Sequence, residues 1–279
     1  MSTVEALKPG SKTGGPKRRK AQSPGSVILW AMKHLWVVAA VFALWWVLSA
    51  GSTNVFVPPL RRILEVLGRD LANGIILGHI GYTLANLGLG LGIAIIIGIA
   101  LGLVIGERAV IRETAEPIIH FIRSIPQAAL VPLIIGAFGI GFGPKVLTIA
   151  FACVWPILLN TIDGVRAVDP TARSMSRVYR IPRSLYFRRV VLSSAMPQIL
   201  AGVRVSLAIG VTVMVVTELF GADRGLGYYI LHSSATFKIA ESWGGALLVG
   251  VIGYLLNVVF LAFESYALKW YFASGAKSS

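Results

Sequence analysis

A run of positive charge enclosed by apolar sequence constrains this chain more than any other feature. Between Asp163 and Pro197 lie Arg166, Arg173, Arg177, Arg180, Arg183, Arg188 and Arg189, against only Asp163 and Asp169. The sequence on either side is apolar over lengths that suit a bilayer crossing. A charge at the bilayer centre costs at least about 2.5–3.5 kcal/mol, so this segment must lie outside the hydrocarbon, and its arginine excess places it on the cytoplasmic side. Composition agrees, with 56% of the 279 residues hydrophobic and only 14% charged and a mean hydropathy of +0.76, which is membrane rather than soluble composition. A net charge of +14 could point to nucleic acid. The basic residues, however, fall between the apolar runs, as membrane topology requires, and no nucleic-acid partner is expected.

Six apolar runs are read as transmembrane helices, at about 27–50, 81–106, 115–138, 145–162, 199–219 and 244–267, giving an all-α polytopic membrane protein. The transmembrane domain is then 27–270, with 163–197 as its basic cytoplasmic loop. Residues 1–26, with Lys17-Arg18-Arg19-Lys20 at their centre, have too little apolar surface to fold and read as a disordered basic tail, a positive-inside anchor or a lipid-headgroup site; 271–279 form a short C-terminal tail. Trp30, Trp36, Trp45 and Trp46 suit interfacial anchoring of the first span. Outside, Phe56-Val57-Pro58-Pro59 followed by Leu60, Ile63, Leu64 and Leu67 predicts a turn and a short amphipathic helix. Nineteen Lys and Arg fall on the inner side of this scheme and six, Lys145 among them, on the outer, which puts both termini in the cytoplasm.

Within the basic loop, Asp169-Pro170 reads as an N-cap followed by proline at the first helical position. The helix from Thr171 should stop near Ile181 because Pro182 disfavours helical geometry before it, and Ser184 can cap a second helix carrying Phe187, Arg188 and Arg189. Two short helices with a hard corner suit docking to a partner; they also suit an amphipathic hairpin lying on anionic headgroups.

The second span is heavy in glycine. Gly88 and Gly92 are four apart, as are Gly98, Gly102 and Gly106, so one stripe admits a close neighbour, either in the same chain or across a dimer seam. The third span holds Pro117, Pro126 and Pro132, whose freed carbonyls are tolerable only beside protein or a water-filled cavity, so it is the candidate pathway lining, with His120, Arg123 and Pro126. Arg123 could instead snorkel to the cytoplasmic interface. In the fifth span Thr212, Thr217 and Glu218 are the polar members; Thr212 and Glu218 join the candidate pathway lining, and Glu218 near the outer end either shapes the entry, pairs with an Arg204-type charge in a partner, or, more commonly for such a residue, is exposed at the interface. Gly221, Gly225 and Gly227 suit a tight loop held inside protein. Cys153 lies in an apolar run and reads as a packing residue.

The basic loop resembles the coupling loop of ABC importer permeases, in the subfamily that handles nitrate, alkanesulfonates, taurine, bicarbonate and thiamine-precursor pyrimidines. The resemblance rests on Val168-Asp169-Pro170, on Phe187 to Leu192 (FRRVVL), on Ala195-Met196-Pro197 and on Leu200-Ala201-Gly202-Val203-Arg204. Where that family has a Glu-Ala-Ala signature, a glycine four positions later and a later Leu-Pro, this chain has Ser174-Met175-Ser176, Arg180 and Leu192-Ser193. The resemblance implies a type I ABC importer permease fold in a bacterial inner membrane. It also implies a homodimer around one pathway, two ATPase subunits that bind ATP and Mg2+, and a soluble solute-binding protein outside. The loop residues it marks for ATPase coupling are Asp169, Pro170, Ser174, Ser176, Arg177, Arg180, Pro182, Phe187, Arg188 and Arg189. Arg180 in place of glycine means either a partner groove shaped for it or altered coupling.

There is no phosphate-binding G-x-x-x-x-G-K-[ST] loop, no His-Glu-x-x-His and no G-x-S-x-G, so no enzyme activity and no cofactor are expected on this chain. An ion- or proton-coupled carrier or a channel is the alternative; sparse intramembrane carboxylates and the large docking loop speak for the ATP-driven permease.

Overall fold

The computed structural model describes residues 24–271, and no strand occurs among them. The basic run at Lys17–Lys20 and the end of the C-terminal tail lie outside the described residues. Eleven helices follow in order: α1 (Pro24–Ser49), α2 (Leu60–Ala72), α3 (Ile75–Glu107), α4 (Ala109–Arg123), α5 (Gln127–Phe138), α6 (Phe142–Arg166), α7 (Pro170–Val178), α8 (Arg183–Tyr186), α9 (Leu192–Phe220), α10 (Leu226–Ala235) and α11 (Ile239–Ala267). A π-helical turn, Phe187–Val191, joins α8 to α9. Among the described residues four stretches are long and apolar enough to cross a membrane: α3, α6, Arg183–Phe220 and α11. The pair α4 and α5 makes a fifth if counted as one, and α1 is apolar over Ala39–Ser49.

The centre is a three-helix block of α3, α6 and α9. Gly90, Gly98, Gly102 and Gly106 bring α3 so close to α6 that a Cβ at Gly102 would stand 2.5 Å from Cβ of Thr161 and 3.0 Å from the Leu158 carbonyl. Ala94 continues the same stripe, fully buried. Gly88 and Gly92 do not share it: nothing lies within 4 Å of a Cβ built there. The period of four is therefore right, but the face includes residue 90 rather than 88 and 92. From α9, Gly202 packs so closely on α6 that a Cβ there would stand 2.9 Å from the Pro156 carbonyl, and Ser206 donates to the Cys153 carbonyl at 2.7 Å. Leu87, Ile149, Cys153, Ile157, Val203 and Met214 fill the space between the three helices.

The third expected span is not one rod. α4 and α5 meet at 81°, because Pro126 pushes Ile125 out of helical geometry and supplies no N–H of its own. Helix limits also differ from the sequence reading: α3 begins at Ile75, α9 at Leu192 and α11 at Ile239, since polar residues at their ends are carried in the helical ladder. The external amphipathic helix is present as α2. Its Leu60 and Ile63 bury against Phe42, Trp45 and Ala240, while Arg61 and Glu65 pair on its outer face. Buried Asp70 accepts from Tyr229 at 2.7 Å and from Arg69 at 2.9 Å, tying α2 to α10. That hydrogen bond, with Asp70's charge, raises the Arg69 pKa above its ordinary value.

Candidate functional site

Three sites emerge from this frame: an elbow at one end of the block, a polar cavity beside it, and a buried polar knot at the other end. The elbow begins where Asp169 accepts from the Thr171 N–H at 2.7 Å and Pro170 opens α7, the cap expected from the sequence. α7 stops at Val178 rather than near Ile181. The Ile181 N–H reaches back to the Ser176 carbonyl (3.0 Å) and the Arg180 N–H to that of Arg177 (3.1 Å), a Schellman stop whose pivot usually holds glycine. The pivot here is Arg180, at φ 48°. The turn that the family's glycine would make is thus kept, by an arginine in left-handed geometry. Pro182, not Ser184, takes the capping position of α8, which is only four residues long and has no side-chain cap.

The root of the elbow is fastened. Arg173 binds Glu107 at the end of α3 (3.4 Å) and the Val165 carbonyl of α6, and the Tyr186 hydroxyl donates to Glu107 at 3.1 Å. Ser176 is buried, and its hydroxyl donates to the Ala172 carbonyl. The outer surface presents Met175, Val178, Tyr179, Leu185 and Phe187 with Ser174, Arg177, Arg180, Pro182, Arg188 and Arg189, all exposed.

The cavity, about 670 Å³, lies between α4, α5, α6 and α9. Glu116, His120, Arg123 and Gln127 form one wall; Trp155, Leu159, Asn160, Asp163 and Arg166 of α6 face them, with Val205 and Ile209 of α9. Pro156, in the same lining, cannot donate to the Ala152 carbonyl one turn back, which leaves backbone polarity at the wall. His120 and Arg123, separated by nearly a turn of α4, are thus brought together with Gln127 across the α4–α5 break. Pro126, Thr212 and Glu218 are not in this lining; Thr212 is exposed on α9 and its hydroxyl donates to the Ala208 carbonyl.

The knot corrects the reading of Glu218 as exposed. Glu218 is not at an exposed interface but 1% exposed. Thr83 Oγ1 lies 2.9 Å from both of its carboxylate oxygens, and the Gly227 N–H donates to it at 3.0 Å. Thr83 in turn accepts from the Leu226 N–H, and His79 Nδ1 from the Gly225 N–H. The N–H groups of Gly225, Leu226 and Gly227 at the start of α10, orphans of any helix start, are therefore taken by side chains of α3 and α9. Gly225 has φ 107°, and a Cβ there would collide with the Glu218 carboxyl at 2.3 Å. Lys145, counted with the external charges, is 1% exposed inside the protein, its Nζ 3.2 Å from the Tyr82 hydroxyl and within electrostatic reach of Glu218. Asn86, fully buried, lies against the same carboxylate without a well-formed hydrogen bond. Arg204 pairs with Glu264 of α11, not with Glu218. The missed signal was legible: His79, Thr83, Asn86 and Gly90 fall three or four apart in an otherwise apolar run.

Residues 94–269, which include the elbow and most of the block, match the family model described as binding-protein-dependent transport system inner membrane component. The chain belongs to this family. The permease is 30% identical, over 97% of its length and 98% of the relative's, to a Bacillus subtilis protein named for aliphatic sulfonates transport. It is 27% identical to the taurine transport system permease protein TauC of Escherichia coli, over 84% and 88% of the two chains, and 26% identical to the nitrate import permease protein NrtB of a Synechocystis species, over 91% and 95%. Its fold is similar to that of the MetNI methionine ABC transporter in inward-facing conformations, with TM-score 0.60 and 17% identity over 68% of this chain and 94% of that one. The permease is thus an ABC importer membrane subunit, and membership implies a binding protein and an ATPase as partners.

Proposed function

We propose that two copies of the permease enclose one pathway in a bacterial inner membrane, with both termini in the cytoplasm, and that an ATPase dimer works them through their elbows. The elbow carries this reading. Its exposed face mixes apolar Met175, Val178 and Tyr179 with Arg177, Arg180 and Arg183, while Arg173 and Glu107 anchor its root. A rigidly rooted surface can transmit force, whereas a hairpin resting on headgroups needs no such root. ATP and Mg2+ belong to the partner; this chain contributes no catalysis. ATPase closure draws the two elbows together and rocks the blocks from inward-open to outward-open.

The solute is a small anion, as for the relatives named for sulfonates, taurine and nitrate. It passes the cavity lined by His120 and Arg123, whose facing side includes Asp163 and Arg166 of α6 near the elbow. Arg180→Glu puts a carboxylate at the pivot of the docking face. The expected result is loss of the ATPase on co-purification and loss of solute uptake in reconstituted vesicles. Undiminished co-purification would reject the docking role.

A further inference from the structure

Two carboxylates, Glu116 and Asp163, and two guanidiniums, Arg123 and Arg166, line the cavity. Its two carboxylates each have a neighbouring arginine at 3.9 Å, Arg112 beside Glu116 and Arg166 beside Asp163. Arg123 has no ion pair or hydrogen bond among the described residues. It is the one cation of the lining left without a counter-ion, and a guanidinium in that state is a ready two-pronged site for an oxyanion. Gln127, almost one turn beyond it across the bend, adds a neutral amide donor in the same wall.

Across from it, Asn160, Asp163 and Arg166 share the lining with an apolar stretch. Trp155, Leu159, Val205 and Ile209 present aromatic and branched apolar surface. Water gains nothing there, and neither does a small hydrated ion. Nitrate or bicarbonate, four heavy atoms each, would meet Arg123 and leave that wall wet. A volume of about 670 Å³ falls in the range of clefts that enclose organic ligands, roughly 300–1,000 Å³. An ion-sized solute would not need it.

Resting on the permease reading above, we infer that this cavity is a binding station for organic anions, an oxyanion head on Arg123 and an apolar body against Trp155, Leu159 and Ile209. Recognition then occurs inside the membrane subunit as well as on the binding protein, and it sorts organic anions from inorganic ones.

The test uses the full permease with its ATPase in lipid nanodiscs, without binding protein. Benzenesulfonate and benzoate are the probes and nitrate and bicarbonate the competitors, with binding followed by equilibrium dialysis. Both probes bind saturably, and nitrate and bicarbonate in large excess do not displace them. Arg123→Gln weakens both at least about tenfold, the loss expected for one charge-assisted contact, and Arg123→Lys recovers part of it. Leu159→Trp, which fills the apolar side, blocks the probes while leaving Arg123 in place. Displacement by nitrate, or equal affinity in Arg123→Gln, overturns the inference. Retention of the ATPase and ATP hydrolysis, measured on the same wild-type preparation, separate the two levels. A complex that assembles and hydrolyses ATP but binds neither probe rejects the organic-anion station alone. A permease that retains no ATPase rejects the permease reading, and the station with it.

Discussion

Glu218 offers the sharpest test of how the outer end of the block is held together. Replacing it with alanine removes the acceptor for the Gly227 N–H and one partner of the Thr83 hydroxyl, and it takes the negative charge away from Lys145, itself only 1% exposed. An orphaned buried donor costs about 1–3 kcal/mol, and a carboxylate facing a helix start is worth about 0.3–2 kcal/mol. Lys145 keeps its Tyr82 hydroxyl and is in electrostatic reach of Glu218 rather than in ion-pair contact with it, so the lost charge costs less than the roughly 3–5 kcal/mol of a broken buried pair. These effects overlap, because relaxation and water share the burden, so the expected loss for Glu218→Ala is about 3–5 kcal/mol rather than their sum. Glu218→Gln keeps the shape and one acceptor, losing mainly the charge, and should cost about 1–3 kcal/mol. Adding Lys145→Met to Glu218→Gln should then be cheaper than in the wild type, by a coupling of about 0.5–3 kcal/mol. Unfolding free energies from denaturant titration in mixed micelles, read by tryptophan fluorescence, measure all four corners of that cycle. A Glu218→Ala protein within about 0.5 kcal/mol of wild type, or strict additivity of the two changes, would show that the knot is not a shared charge-and-cap unit.

Two further outcomes follow from backbone geometry. Gly102→Ala sets a methyl 2.5 Å from Thr161; overpacking of about 1–3 kcal/mol outweighs the roughly 1 kcal/mol gained in helix propensity, so thermal unfolding should fall. Gly88→Ala, with open space around it, should leave it unchanged or raised, and a drop as large as that of Gly102→Ala would mean the stripe has been assigned to the wrong face. Arg180→Gly relieves a left-handed arginine that costs about 1 kcal/mol. Hydrogen exchange at the amides of Arg180 and Ile181 should slow accordingly while ATPase affinity drops; faster exchange would contradict the Schellman stop.

Much of this was legible in the sequence, and the parts that were not have physical reasons. Asp169-Pro170 announces its helix because capping is local chemistry, and the same holds for the apolar face of α2; the stretch across the break before Gln127 reads as one continuous span carrying three prolines. Periodicity revealed small residues four apart on α3 but not which face they share, since spacing alone does not say where α6 lies. Lys145 was placed outside because it follows Gly143-Pro144 at the end of a span. Only the fold brings Tyr82 within reach, 63 residues earlier in the chain. Glu218 was misread for the same cause: its partners come from α3 and from the start of α10. Burial of Lys145 leaves the charge asymmetry as it was, and the arginines of the elbow dominate it.

Glu107 and the stripe behind it have a mechanical consequence. α3, α6 and α9 each run from the elbow to the knot, and α3, at 33 residues, is about 50 Å long. Backbone locked against backbone along that length leaves little room for sliding or bending. A push received by Arg173 and Tyr186 must therefore arrive at Thr83 and Glu218 as a tilt of the whole unit, much as the blade of an oar answers the hand.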